Sequence, residues 1–268
     1  MQSAQIGDIA IHYRYRPGPA GAPVIVFINS LGTDFRIWDD VVAGIESRFG
    51  TLNYDKRGHG LSGIGKTPYS IVDHAVDLAG LMDHLGVSNA IICGLSVGGL
   101  IAQELYFTRP DLVGGLLISG SAAKIGEADF WRQRIALIAE KGLAATTDGI
   151  MERWFSAKFR RPDNAAYLLA RAMFERQPVE GYLATCEAIA AFDRRADTEK
   201  IAVPAKVIVG SEDGATPPDV VRSFAAAIPG ADFELIEGAG HIPCVEAPAP
   251  VMEAIAALAG RIPTRRIH

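Results

Sequence analysis

Short apolar-rich runs recur along this chain: Ile9–His12, Val24–Ile28, Thr51–Tyr54, Ala90–Cys93, Leu112–Ser119, Ala205–Val209 and Phe233–Ile236. Several lack the apolar/polar alternation of a half-exposed strand, which is the pattern of strands covered on both faces. Longer stretches with helical spacing, such as Ser70–Leu85 and Val97–Tyr106, lie between several of them. Strands alternating with helices predict an α/β fold with parallel strands joined by helical crossovers. The opening "MQSAQIGDIAIHYRY" reads as a first strand and lacks the basic-then-apolar pattern of a signal peptide. In "IAIHYRYRPGPAGAPVIVFI" a Pro/Gly turn separates two runs, and the expectation is an antiparallel hairpin at the sheet edge.

From about Ala122 to Asp197 the strand runs stop. Helix-like segments follow at Phe130–Glu140, Thr146–Phe155, Asn164–Arg176 and Gly181–Ala191, and a strand pattern returns in "IAVPAKVIVGSEDG". The expectation is a core built from residues 1–121 and 198–268, with a helical cap, 122–197, inserted into it. Such a cap belongs over the C-terminal edge of the sheet, where the functional loops of parallel sheets gather.

With 268 residues, the chain has room for one large α/β domain carrying an insertion. Hydrophobic residues make up 49% and charged residues 21%, so a substantial core is expected rather than disorder. A formal charge of -5 is a poor match for nucleic acid, and an anionic substrate would need positive charge supplied locally. Cys93, Cys186 and Cys244 are scattered, odd in number and without a C-x-x-C pair. That argues against a disulfide framework or a zinc site and suits the reduced thiols of a cytoplasmic protein. No apolar run reaches the roughly 18 residues of a membrane span.

The candidate chemistry starts at Gly94-Leu95-Ser96-Val97-Gly98, a G-x-S-x-G lying between a strand-like run and a helix-like one. In that context the motif is a nucleophile elbow. The glycines leave room for a turn too sharp for a Cβ, and Ser96 is presented at the top of the sheet. The Val97 N–H, first in the helix, is placed to face a developing oxyanion.

A serine hydroxyl needs a base, and the base needs an orienting acid. Asp213 follows the strand Lys206–Gly210 in "VIVGSEDGATPP", with Glu212 as its neighbour and competitor. His241 lies in a glycine-bearing loop after Phe233–Ile236. His12 is in a strand, His74 and His84 are in a helix-like stretch, and His268 is terminal. His59, in "YDKRGHGLS", is the rival base, but it precedes the serine and breaks the order serine, acid, histidine. A second oxyanion donor is expected in the loop Asn29-Ser30-Leu31-Gly32, from the Leu31 N–H.

Strand, elbow, late acid and later histidine together resemble the α/β-hydrolase superfamily over essentially the whole chain. Within it, "NSLGTDFRIWD", "YDKRGHGLS", "GLSVGGLIAQ", "SAAKIGEADFWRQRI", "ERWF" and "HIPCVEAP" resemble 3-oxoadipate enol-lactonases of the β-ketoadipate pathway of aromatic degradation. Asn29-Ser30, where many relatives carry His-Gly, and the segment Trp131-x-x-Arg134 are the more specific features. The chain ends near residue 268, and the additional C-terminal decarboxylase domain of some fused relatives is not expected.

The resemblance implies a small anionic lactone as substrate. Ser96 would act as nucleophile, His241 as base and Asp213 as its partner, with Leu31 and Val97 as oxyanion donors and no metal or organic cofactor. On a helix turning about 100° per residue, Trp131, Arg134, Ile135 and Ile138 share one face, and Arg132 points away from it. Arg134 is therefore the candidate for gripping a substrate carboxylate, with Arg132 the alternative. Ser30 and Trp154 are further pocket candidates, core packing being the other reading of Trp154. Cys93 and Cys244 read as packing residues. An esterase or carbon–carbon bond hydrolase would carry the same triad, and a ligand-binding protein on this fold is the reading from outside enzymology. Serine at the elbow speaks against haloalkane dehalogenases and epoxide hydrolases, which place an aspartate there.

Overall fold

The computed structural model describes residues 1–262. Among them run the strands β1 (Gln2–Ile6), β2 (Ile9–Arg16), β3 (Val24–Ile28), β4 (Gly50–Tyr54), β5 (Ala90–Leu95), β6 (Val113–Ser119), β7 (Ala205–Gly210) and β8 (Asp232–Ile236). The helices are α1 (Asp39–Ile45), α2 (Ile71–Leu85), α3 (Val97–Thr108), α4 (Ala128–Lys141), α5 (Thr147–Trp154), α6 (Ala165–Glu175), α7 (Val179–Ala191), α8 (Pro218–Ala227), α9 (Pro243–Glu246) and α10 (Pro248–Ala259).

The strands form one sheet in the order β1-β2-β4-β3-β5-β6-β7-β8, parallel from β4 through β8 and antiparallel at the β1 and β2 edge. Residues of β5 and β6 are buried throughout, which is why their sequences read as unbroken apolar runs. After β3 the chain crosses to one side to form β4, then back past β3 to form β5. Right-handed crossovers then set α1 and α2 on opposite faces, and the reversal opens a crevice at the C-terminal ends of β3 and β5. Accordingly α2 packs with α3, and α1 with α10. The start of α2 is sharply defined: the Ser70 side chain accepts from the Asp73 N–H, and Asp73 accepts from the Ser70 N–H.

The edge hairpin differs from expectation. It joins β1 to β2 through Gly7-Asp8, with Ile6 opposite Ile9 and Gly7 at φ +54°. The second neighbour of β2 is β4, not β3. The Pro/Gly segment after Arg16 is therefore a connection that passes β4 on its way to β3, and the N-terminal stretch holds two strands rather than one. A two-residue loop with a left-handed glycine turns a hairpin more tightly than a longer proline-bearing segment.

Helices α4 to α7 fill the interval between β6 and β7. They meet the core closely at Gly181, where a Cβ would lie 2.3 Å from the Gly58 Cα, and again at Gly240, where one would lie 2.4 Å from the Trp154 carbonyl oxygen. The Tyr69 hydroxyl donates to the Gly181 carbonyl at 3.0 Å. No helix among the described residues is long and apolar enough to cross a membrane.

Candidate active site

At the end of β5 the chain turns into α3 within one residue. Ser96 sits at φ 58° and ψ -117°, a conformation that costs a non-glycine residue about 1–3 kcal/mol. Its N–H donates to the Ser119 carbonyl at 2.9 Å, and its carbonyl accepts from the Gly99 N–H at 2.8 Å. The flanking glycines are sterically required. A Cβ on Gly94 would lie 2.2 Å from the Gly98 carbonyl oxygen, and one on Gly98 would lie 2.4 Å from the Ile28 carbonyl oxygen of β3.

The two loops after β7 and β8 meet beside the elbow. His241 Nδ1 lies 2.8 Å from Asp213 Oδ2, and both side chains are buried. The second carboxylate oxygen accepts from the Ala215 and Thr216 N–H groups, each at 2.8 Å. A carboxylate on Nδ1 leaves Nε2 as the nitrogen able to take a proton. The histidine loop is tied to the inserted helices: the His241 N–H donates to the Trp154 carbonyl at 2.8 Å. Glu246 Oε2 accepts from the Gly240 N–H at 2.9 Å in the same loop.

Ser96 and His241 line one cavity of about 170 Å3, together with Ser30 and Leu31 from the loop after β3. Its opposite wall comes from α4 and α5, through Trp131, Arg134, Arg153 and Trp154. The Arg134 guanidinium stands 5.5 Å from the Trp131 ring centre and 5.8 Å from that of Tyr182. Arg134 Nε is buried without a hydrogen-bond partner. Arg153 donates from Nε to the Gly214 carbonyl at 3.0 Å and lies over the Phe130 ring. Burial, and then the charge of Arg134, push the Arg153 pKa down. Among the described residues neither arginine has a carboxylate partner, and no acidic residue lines the cavity. Two arginines with no carboxylate in hydrogen-bond contact thus stand in the cavity that Ser96 lines, and the charge of Asp213 only partly opposes the lowering at Arg153.

The model of the alpha/beta hydrolase family matches residues 25–254. The chain belongs to the alpha/beta hydrolase family. It is 33% identical to 3-oxoadipate enol-lactonase 2 of Acinetobacter baylyi over 95% of this chain and 94% of that one. The crystal structure of the enol-lactonase from Burkholderia xenovorans LB400 superposes with a TM-score of 0.91, at 35% identity, covering 97% of this chain and all (100%) of the other. A thermophilic esterase from Thermogutta terrifontis, solved with malate bound, gives 0.89 at 25% identity over 96% of this chain and 97% of that one.

In this hydrolase the tertiary structure brings Ser96, His241, Ser30, Leu31, Trp131, Arg134 and Trp154 to one cavity, with Asp213 directly behind His241. Val97 is the first, buried residue of α3. The competitors lie elsewhere. Glu212 is exposed, and Arg132 faces solvent in an ion pair with Asp129. His12 pairs with Asp55 at 2.8 Å, and His268 lies outside the described residues. His59 is buried away from the pocket, where its Nε2 accepts from the Gly32 N–H at 3.0 Å. Trp131 turns its indole N–H to the Ile125 carbonyl at 2.7 Å, leaving its ring to the cavity.

Arg153 does not stand out in the sequence, although it adjoins Trp154 in the same motif. The available signal was its place three residues after Ile150, on the helix face that is buried.

The hydrolase should lose stability as pH falls below about 6.5, before most carboxylates titrate. Burial pushes the His59 and His74 imidazoles well below the usual histidine range, with Lys56 adding to the effect. A lowered folded pKa means that the unfolded chain takes up a proton the folded one refuses. The stabilisation is thus complete above the unfolded value and is lost on acidification toward the folded one. Each such histidine costs about 1.4 kcal/mol per pH unit across that window. Thermal melts between pH 7 and pH 5 should show the slope, and His74→Phe should flatten it. An unchanged slope would remove His74 from the account.

Proposed function

We propose that this hydrolase opens 3-oxoadipate enol-lactone, an anionic five-membered lactone, to 3-oxoadipate. The observation that carries the reading is the pair Arg134 and Arg153, free of carboxylate partners, in the cavity that Ser96 lines. The enol-lactonase relatives support it, as does the enol-lactonase resemblance of the segments around Asn29-Ser30 and Trp131-x-x-Arg134.

In this reading Ser96 Oγ attacks the ring carbonyl carbon while His241 Nε2 takes the hydroxyl proton and Asp213 stabilises the imidazolium. The carbonyl oxygen becomes an oxyanion on the Leu31 and Val97 N–H groups. Collapse breaks the ring C–O bond and expels an enolate oxygen, which receives the proton from His241. The resulting enol tautomerises to the ketone, so the ring does not close again. Water, deprotonated by His241, releases the acyl group from Ser96 as a second carboxylate. Helices α4 to α7 act as a cap that holds the substrate over the serine, with Trp131, Trp154 and Ser30 as contacts.

The test is loss of the ultraviolet absorbance of freshly generated enol lactone, with Arg134→Met compared on that substrate and on p-nitrophenyl acetate. A charge-assisted hydrogen bond contributes about 1.5–3 kcal/mol, so Arg134→Met is expected to lose roughly ten- to a hundred-fold in kcat/KM on the lactone and little on the neutral ester. Equal losses on both substrates would sink the carboxylate role, and a selective loss in Arg132→Met would move it. Absence of lactone turnover beside active esterase controls would leave the second reading, a carboxylic ester hydrolase, which the Thermogutta esterase neighbour favours.

A further inference from the structure

We propose that Lys56 is a positioning residue for the reaction: from inside the core it holds the Ser30 carbonyl so that the Leu31 N–H is presented to the cavity. The inference rests on the serine-hydrolase reading above and concerns how one of its two oxyanion donors is aimed.

Lys56 lies just past β4, almost completely buried at 1% exposure, and its Nζ donates to the Ser30 carbonyl at 2.6 Å. The same oxygen accepts from Thr33 Oγ1 at 2.9 Å and, more loosely, from the Thr33 N–H at 3.4 Å. A buried lysine is costly, and this one has no carboxylate in contact among the described residues. Burial pushes its pKa well down, and the charges of Asp55 and Asp34 only partly oppose this.

The consequence follows from the peptide plane. The Ser30–Leu31 bond is trans, and in a trans peptide the C=O and the following N–H point in opposite directions. A carbonyl anchored inward on Lys56 and Thr33 therefore turns the Leu31 N–H outward. Leu31 lines the cavity with Ser96 and His241, and among the described residues its N–H has no acceptor. The next amide is disposed of separately: Gly32, at φ +74°, turns its N–H to His59 Nε2 at 3.0 Å. Of these two adjacent N–H groups, one is tied down in the core and one is left for the site. A donor on the carbonyl also polarises the peptide and strengthens its N–H as a donor. Lys56 thus acts on the geometry and on the strength of the same group. A peptide flipped about this bond would put the Ser30 oxygen where negative charge develops.

The test compares wild type with Lys56→Met on p-nitrophenyl acetate and with phenylboronic acid, which forms a tetrahedral anionic adduct with an active serine. Loss of a well-aimed oxyanion donor lowers kcat by about 10²–10³, and loss of its anchor is expected to cost roughly ten- to a hundred-fold with KM little changed. Boronate inhibition should weaken by a similar factor, which a merely structural role for Lys56 would not produce. A folded Lys56→Met enzyme that keeps its kcat and boronate affinity, or changes in KM alone, overturns the positioning role while leaving the hydrolase reading intact. If wild type neither turns over esters nor binds the boronate, the hydrolase reading falls and takes this one with it. Should Lys56→Met fail to fold, Thr33→Val removes a second donor from the same carbonyl. It is expected to lose several-fold in kcat at constant KM, and unchanged kcat there overturns the proposal.

Discussion

Replacing Ser96 with alanine is expected to abolish turnover of the enol lactone and of simple esters while leaving the fold intact. In the proposed mechanism the hydroxyl forms the acyl bond, and Ser96 alone among the cavity's hydroxyl residues stands at the strained strand-to-helix turn of an elbow. Removing a triad nucleophile typically lowers kcat by about 10⁴–10⁶-fold, the remainder coming from binding and the oxyanion donors. Stability should not fall, because alanine keeps the Cβ that the turn already accommodates at φ 58°, and the oxygen removed is partly exposed to the cavity. Melting temperature and circular dichroism of Ser96→Ala should match wild type or exceed it slightly, as often happens when a strained functional group is simplified. A folded Ser96→Ala protein keeping a tenth of wild-type activity in a contaminant-free preparation would show that the nucleophile lies elsewhere.

His241→Gln is expected to be nearly as damaging, with a loss of about 10⁴-fold or more in kcat, whereas His59→Gln should retain a large share of activity. The contrast follows from what each ring touches. His241 meets the buried Asp213 carboxylate with Nδ1 and borders the Ser96 cavity. His59 has its Nε2 on the Gly32 N–H and Nδ1 3.3 Å from the Arg57 carbonyl, so both nitrogens are engaged by backbone. Loss of His59 should loosen the loop that carries Leu31 and so reduce the rate, without removing the base. Equal losses in the two variants, with both structures intact, would reverse the assignment of the base.

How far the site was legible varies by residue, and the variation has physical causes. The elbow was plain because its constraint is local: a turn that places a Cβ 2.2 Å from a carbonyl oxygen is open only to glycine. Asp213 over Glu212 was a weaker inference, since both stand in the same loop. It is the folded loop that buries one carboxylate under the Ala215 and Thr216 N–H groups and leaves the other exposed. Helical spacing alone assigned Arg134 and Arg132 to different sides of α4, and the first lines the cavity while the second faces solvent. Lys56, Thr33 and Arg153 are not legible in the sequence. Lys56 and Arg153 donate to backbone carbonyls contributed by distant segments and Thr33 to one three residues back in its own loop, and a carbonyl carries no residue identity to be read.

The linear chain thus determined what depends on near neighbours: strands from unbroken apolar runs, helices from their spacing, the elbow from its glycines, and the order serine, acid, histidine. Packing alone decided which strands became neighbours. The Pro/Gly segment spans β4 rather than closing a hairpin, because β4 takes the place beside β2 that a hairpin would have given to β3. Packing also brought α5 over the loop of Asp213, setting Arg153 beside Arg134 and the Trp154 carbonyl on the His241 N–H. The reason is range. A turn or a helix face is settled by atoms a few residues apart, whereas the cation pair in the pocket and the buried lysine beneath it exist only once segments far apart in sequence share one desolvated space.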